Sequence, residues 1–311
     1  MTTKKFDDCT SFYLHDGVYM GRIVRLKDVL KNILTRHQCS KNVAVALSET
    51  TALATLCSAM LKFDGLFTLQ IQGNGPVSLL VCDVMSDGKV RATAKFDENK
   101  LNEAKRLRKT EDIIEETPHL TGGGYLALTV DEQNGLPPYQ GVVDLKGKNL
   151  SEIALRYFKQ SEQIDTILKL FVQKGRTKTP LAGGIILQKV PSKGGKNIEF
   201  DAKKSAEIWE ELGVFLESLT DKEMFDAKLT NEDILHRLFH EHGLQISGQK
   251  SYQFGCRCSR EKLKKTLLSF GLEEINSLCN KEGKIEATCH FCAEKYVFDK
   301  DEFATEEKNL Q

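Results

Sequence analysis

The chain has 311 residues, enough for about two domains and a sizeable core. Its 44 basic residues balance 44 acidic ones, so net charge gives no global pull toward nucleic acid or acidic membranes. Nine scattered cysteines do not make a secreted disulfide framework, and Lys4 and Lys5 have no apolar signal-like run behind them. A cytoplasmic protein with no membrane partner is expected, since no run of about eighteen apolar residues stands out.

Leu26, Val29, Leu30, Ile33 and Leu34 recur at helical spacing through residues 25–37. Residues 42–63, rich in Ala, Ser and Thr, read as a second, closely packed helix. The period then changes: Phe67, Leu69 and Ile71 alternate with Thr68, Gln70 and Gln72, predicting a half-buried strand. Gly73-Asn74-Gly75-Pro76 turns into an apolar run over 77–84, and Ser86-Asp87-Gly88-Lys89 turns again into a third strand. Short glycine turns imply an antiparallel meander.

A charged segment over 97–116 is expected as a solvated helix or loop. A second strand pair, 124–130 and 139–145, precedes a helix over 149–160 and strands over 164–173 and 182–190. The glycine clusters at Gly73/Gly75, Gly122–Gly124 and Gly183/Gly184 lack the strand–loop–helix context of a phosphate loop and read as turn glycines. Ser192-Lys193-Gly194-Gly195-Lys196 forms a flexible polar boundary. Beyond it, Ile208, Trp209, Leu212, Phe215, Leu216 and Leu219 stripe a helix over 202–219. Leu235, Leu238 and Phe239 stripe another over 232–242. His236, His240 and His242 fall on the second helix and read as a polar face rather than as a metal set.

Near the C-terminus stand Cys256-x-Cys258 and, after thirty residues, Cys289-x-x-Cys292. Two close pairs on either side of a short foldable segment are the layout of a four-thiolate zinc site. Arg257, Arg260, Lys262, Lys264 and Lys265 against Glu261 leave the local field positive. Such a field offsets the site's excess negative charge and favours thiolate once metal is lost. A reactive thiolate with a neighbouring cysteine suits a redox sensor, while a purely structural zinc is the plainer alternative. Ser259 is placed to cap a helix ending at Gly271. A second short helix over 272–279 follows, and strands over 284–288 and 295–298 flank the second pair as a hairpin.

The stretches Phe254-Gly255-Cys256-Arg257-Cys258-Ser259-Arg260-Glu261-Lys262 and Cys289-His290-Phe291-Cys292-Ala293-Glu294-Lys295-Tyr296 closely resemble the bacterial redox-regulated holdase chaperones of the heat shock protein 33 family. Blocks such as Gln70-Ile71-Gln72-Gly73-Asn74-Gly75-Pro76, Tyr139-Gln140-Gly141-Val142-Val143 and Ser161-Glu162-Gln163 extend the resemblance over nearly the whole chain. Cys9, Cys39, Cys57, Cys82 and Cys279 match no motif of the family.

The resemblance implies an ATP-independent chaperone with no catalytic residues. Cys256, Cys258, Cys289 and Cys292 would hold Zn²⁺ when reduced. Oxidation would join Cys256 to Cys258 and Cys289 to Cys292, release the metal, and produce a homodimer that holds unfolding clients.

The expected fold class is α+β. An N-terminal domain of antiparallel strands with packed helices spans 1–191, a flexible boundary and helical linker 192–249, and a small zinc module 250–311. Trp209 and Phe215 are candidate latch residues on the linker stripe. The rival classes are a zinc-ribbon-like nucleic-acid binder using the 257–265 cations and a thiol-disulfide oxidoreductase using Cys289-x-x-Cys292.

Overall fold

In the computed structural model, residues 6–109, 116–173, 180–190 and 202–303 are described, and the expected boundary at Ser192–Lys196 lies outside them. The chain opens with strands β1 (Asp8–Leu14) and β2 (Tyr19–Leu26) and helices α1 (Asp28–Leu34) and α2 (Lys41–Met60). The expected meander follows as β3 (Leu66–Gly73), β4 (Val77–Met85) and β5 (Lys89–Phe96), then α3 (Glu98–Arg108) and α4 (Thr117–Thr121). Next come β6 (Gly124–Asp131), β7 (Tyr139–Asp144), α5 (Leu150–Tyr157), a π-helical turn (Phe158–Glu162), β8 (Thr166–Val172) and β9 (Ala182–Lys189). The chain continues through α6 (Ala202–Ser218), α7 (Asp221–Met224), α8 (Asn231–Phe239), β10 (Gln245–Ser251) and β11 (Gln253–Phe254). It ends in α9 (Arg260–Leu268), α10 (Leu272–Leu278) and the hairpin β12 (Lys284–Thr288) and β13 (Lys295–Asp299).

Two compact units result, Met1–Phe254 and Gly255–Gln311. In the first, a five-stranded sheet has the order β10-β1-β2-β9-β8 and a six-stranded sheet the order β11-β5-β4-β3-β6-β7. All pairings are antiparallel except β11 with β5. Helix α2 lies against β2 and β9 of one sheet and β4 of the other. Its Leu47, Leu53 and Leu56 share one core with Val24 and Ile186 of the first sheet and Leu69 and Leu80 of the second.

That placement accounts for the one apolar run that the expectation of no membrane span passed over. With 20 residues and a mean hydropathy of 1.4, α2 is long and apolar enough to cross a bilayer by composition. In its most apolar eighteen-residue window 83% of the residues are buried inside the protein, and a helix apolar all round is also what a core between two sheets requires. Its hydroxyls turn back on the helix: Ser48 donates to the Ala44 carbonyl at 2.7 Å and Thr51 to the Leu47 carbonyl at 2.7 Å, so these buried hydroxyls are satisfied within the helix.

The helix expected over 25–37 begins later, because Arg25 and Leu26 complete β2, paired with Gly183 and Ala182. The N-terminal hairpin and the return strands β10 and β11 had no clear sequence signal. β10 pairs Lys250 with Cys9 across 241 positions, and it is exposed along most of its length. Gly73/Gly75 and Gly122–Gly124 stand at strand ends and the turns between them, as expected, whereas Gly183 and Gly184 lie within β9, paired with Arg25 and Val24, and are not turn glycines. A Cβ on Gly73 would lie 2.1 Å from the Thr121 carbonyl oxygen, and Asn74 donates its N–H to Gly123 at 2.9 Å.

A second core lies on the other face of the five-stranded sheet. Leu212 and Leu216 of α6 and Leu235 and Phe239 of α8 bury against Phe12, Ile23, Ile185 and Leu187. Helices α6 to α8 therefore belong to the first unit. They are pinned by Arg25, fully buried, which donates to Asn231 Oδ1 at 2.7 Å and to the Leu229 carbonyl at 2.8 Å. Asn231 in turn donates to Asp8 at 2.9 Å.

Candidate metal centre

The second unit has a small core: Leu267, Ile275, Ile285, Phe298 and Phe303. Its parts form where the sequence indicated. Ser259 caps α9, its hydroxyl accepting the Lys262 N–H at 3.2 Å, and this fixes where the irregular run carrying Cys256 and Cys258 enters the helix. The β12–β13 hairpin pairs Thr288 with Lys295, and the intervening residues form the knuckle. Cys289 donates its N–H to the Glu294 carbonyl at 2.9 Å and accepts from Ala293 at 2.8 Å. Ala293 takes φ 58°, the left-handed conformation that closes the turn.

These turns bring all four sulfurs within 4.8 Å of one another. Cys256 Sγ lies 3.7 Å from Cys289 Sγ, and Cys258 Sγ lies 3.4 Å from Cys292 Sγ. A tetrahedral site with Zn–S bonds near 2.3 Å has sulfur–sulfur edges of about 3.8 Å, so the cage fits a zinc-sized ion with four thiolate ligands. Among the described residues this is the one group of Cys, His, Asp or Glu arranged to hold a metal.

Tyr296, which sequence reasoning passed over as a ligand neighbour, places its hydroxyl 3.2 Å from Cys258 Sγ. Its only sequence signal is position: it faces Ala287 across the hairpin that carries the second cysteine pair. A phenol donating to a ligating thiolate orients the sulfur and spreads its charge.

Burial is the largest cause raising Cys258 and Cys292; the Tyr296 hydroxyl opposes it at Cys258 and the Glu294 backbone opposes it at Cys292. Arg260 is engaged elsewhere, donating to Glu302 at 2.6 Å, and Lys262 Nζ reaches the Arg257 carbonyl at 3.0 Å.

The remaining cysteines are chemically quiet. Burial pushes Cys9 and Cys57 up to about 12 and Cys39 up to about 11, and raises Cys82 further. Cys279 donates to the Ile275 carbonyl at 3.4 Å. The linker histidines pair with other groups: His236 stacks on His240 with centroids 5.3 Å apart, and His242 bonds to His15.

Trp209 and Phe215 sit at the edge of the second core, each partly buried. Trp209 stacks on Tyr19 at 5.4 Å, and Phe215 meets His242 edge-on at 5.4 Å. The fully buried members of the same stripe are Leu212 and Leu216.

The family model described as Hsp33 protein matches residues 7–299. A 33 kDa chaperonin of Caulobacter vibrioides is 32% identical over 302 residues, covering 96% of each chain. One from Pseudomonas fluorescens is 35% identical over 306 residues, covering 98% of this chain and 95% of its own. The crystal structure of the 33 kDa chaperonin (heat shock protein 33 homolog) from Thermotoga maritima shares the fold, with a TM-score of 0.77. It is 24% identical and is matched over 99% of its length, with 98% of this chain covered. These relatives are named as chaperonins rather than as enzymes, and with a match over nearly its whole length the chain belongs to the Hsp33 protein family.

Proposed function

We propose that this chain is an ATP-independent holdase whose client binding is switched by the oxidation state of Cys256, Cys258, Cys289 and Cys292. The observation that carries this reading is the four-sulfur cage, built on a unit whose core among the described residues is one small cluster around Leu267, Ile275, Ile285, Phe298 and Phe303. A bound Zn²⁺ would supply a structural cross-link among the four thiolates. A core that small gains much of its folding free energy from such a link, so loss of the ligands favours unfolding of residues 255–303.

Oxidation removes those ligands as a balanced reaction. Two thiols give one disulfide and two electrons, and one peroxide accepts the electrons and becomes two waters. Pairing Cys256 with Cys258 and Cys289 with Cys292 consumes two peroxides per chain. Unfolded residues of the module, together with any apolar surface uncovered when α6 and α8 loosen, would then hold unfolding polypeptides, with a homodimer as the active form in the cytoplasm.

Light scattering from a heat-denatured client tests this directly. Reduced, zinc-loaded protein should leave aggregation nearly unchanged, and peroxide-treated protein should suppress it while zinc appears in solution. Equal suppression by both forms, or suppression with zinc fully retained, would overturn the switch.

A further inference from the structure

Residues 157–162 form a second site that the cysteine switch does not use. α5 ends at Tyr157, and one turn of π-helix, Phe158–Glu162, follows and is closed by Gln163 at φ 55°. Single π-turns inserted at a helix end gather at functional sites because they re-aim a side chain. Here the re-aimed group is Glu162. Its Oε1 accepts hydrogen bonds from two phenols, Tyr157 at 2.5 Å and Tyr139 of β7 at 2.9 Å. Gly141 of β7 makes room for this: a Cβ there would lie 2.5 Å from the Tyr157 hydroxyl. The second carboxylate oxygen, Oε2, has no hydrogen-bond partner among the described residues.

Glu162 lines a cavity of about 180 Å³. Sulfur and aromatic side chains form much of its wall: Met20, Met60 and Cys57 with Phe67 and Phe158. Burial holds the Cys57 thiol neutral, and no Lys, Arg or His lines the cavity, so Glu162 is its one charged group. The half-exposed Leu61 and Tyr139, 47% and 56% accessible, leave a way in from solvent.

We propose that this cavity binds a small aromatic amine, with the ring among the sulfurs and aromatic faces and the ammonium group on Glu162 Oε2. The volume sets the ligand's size. A dry cavity of about 150 Å³ takes one benzene ring, so 180 Å³ has room for a ring with a short arm. Thioethers pack well on ring edges. A lone carboxylate in a wall whose other polar groups, Gln188 and the two tyrosines, carry no charge selects a donor cation and repels an anion.

Benzylamine is the probe, read by the methyl resonances of Met20 and Met60 in the full-length reduced protein. Saturable ring-current shifts of these two methyls are expected, with a Kd on the order of 1 mM. Glu162→Gln keeps the side chain's shape and an acceptor for both tyrosines, and it should weaken benzylamine about tenfold. Ile164→Trp, at the half-buried wall, should block the site while methyls outside the cavity keep their positions. Toluene should bind more weakly than benzylamine, and phenylacetate should not bind. No saturable shift, equal binding of toluene, or unchanged affinity in Glu162→Gln would each overturn the assignment.

Discussion

His15 and His242, 227 positions apart, share a single hydrogen bond, with His15 Nε2 2.9 Å from His242 Nδ1. One ring must donate and the other accept, so two protonated rings would set N–H against N–H. Phe215 of α6 covers His242 edge-on, and Tyr19, stacked on Trp209, covers His15. The pair thus lies beside both candidate latch aromatics.

This arrangement makes stability depend on pH in a defined direction. Burial lowers the His15 pKa, helped by His242 and Lys204 and opposed by Asp16 and Glu211. The unfolded chain, titrating near 6.5, therefore takes up a proton before the folded one does. Stability is fully present above that value and falls as pH drops from it toward the folded pKa. Denaturant midpoints measured from about pH 7.5 to 5.5 should decline, and less steeply in His15→Gln. Parallel declines in the two proteins would remove the pair from the account.

Metal binding should likewise weaken with acid. Burial holds Cys258 and Cys292 protonated in the metal-free protein, so binding must release their protons. The reduced chain should hold one zinc, and Cys289→Ser should lose it. Tyr296→Phe should cost about tenfold in affinity by removing the hydroxyl on Cys258. Competition with a chromogenic chelator measures both variants, and full retention in Cys289→Ser would refute the site.

Removing zinc with a chelator should unfold residues 255–303 and spare the first unit, because their cores are separate. Hydrogen exchange by mass spectrometry should show protection lost in β12 and β13 and kept in α2. Even loss across β3 to β9 would contradict a modular switch.

If α6 and α8 form a latch, loosening them should mimic oxidation. Trp209→Ala with Phe215→Ala tests the aromatic edge, but both rings are only partly buried. Leu212→Ala with Leu216→Ala removes fully buried contacts worth about 2–5 kcal/mol each. Arg25→Met strands Asn231 and the 224, 226 and 229 carbonyls, and breaking a buried charged network of this kind costs about 3–5 kcal/mol. At least one of these variants should suppress client aggregation while reduced and zinc-loaded. Folded, inactive behaviour in all three would rule out the latch.

Local sequence carried the parts whose signals are local. The period of two in Phe67, Leu69 and Ile71 marked β3, Ser259 marked the start of α9, and the cysteine spacing marked the metal cage. Each depends on contacts within a few residues or on ligand chemistry that spacing alone constrains. Tertiary structure decided the rest. Nothing near Lys250 announces that it pairs with Cys9, or near Arg25 that its guanidinium will meet Asn231. Whether the apolar α2 enters a membrane or a core depends on two sheets formed by distant segments, and the weight of a latch residue depends on depth, not size. Trp209 and Phe215 are the largest side chains on their stripe, yet Leu212 and Leu216 lie deepest, because burial is set by the helix's rotation against the sheet beneath it.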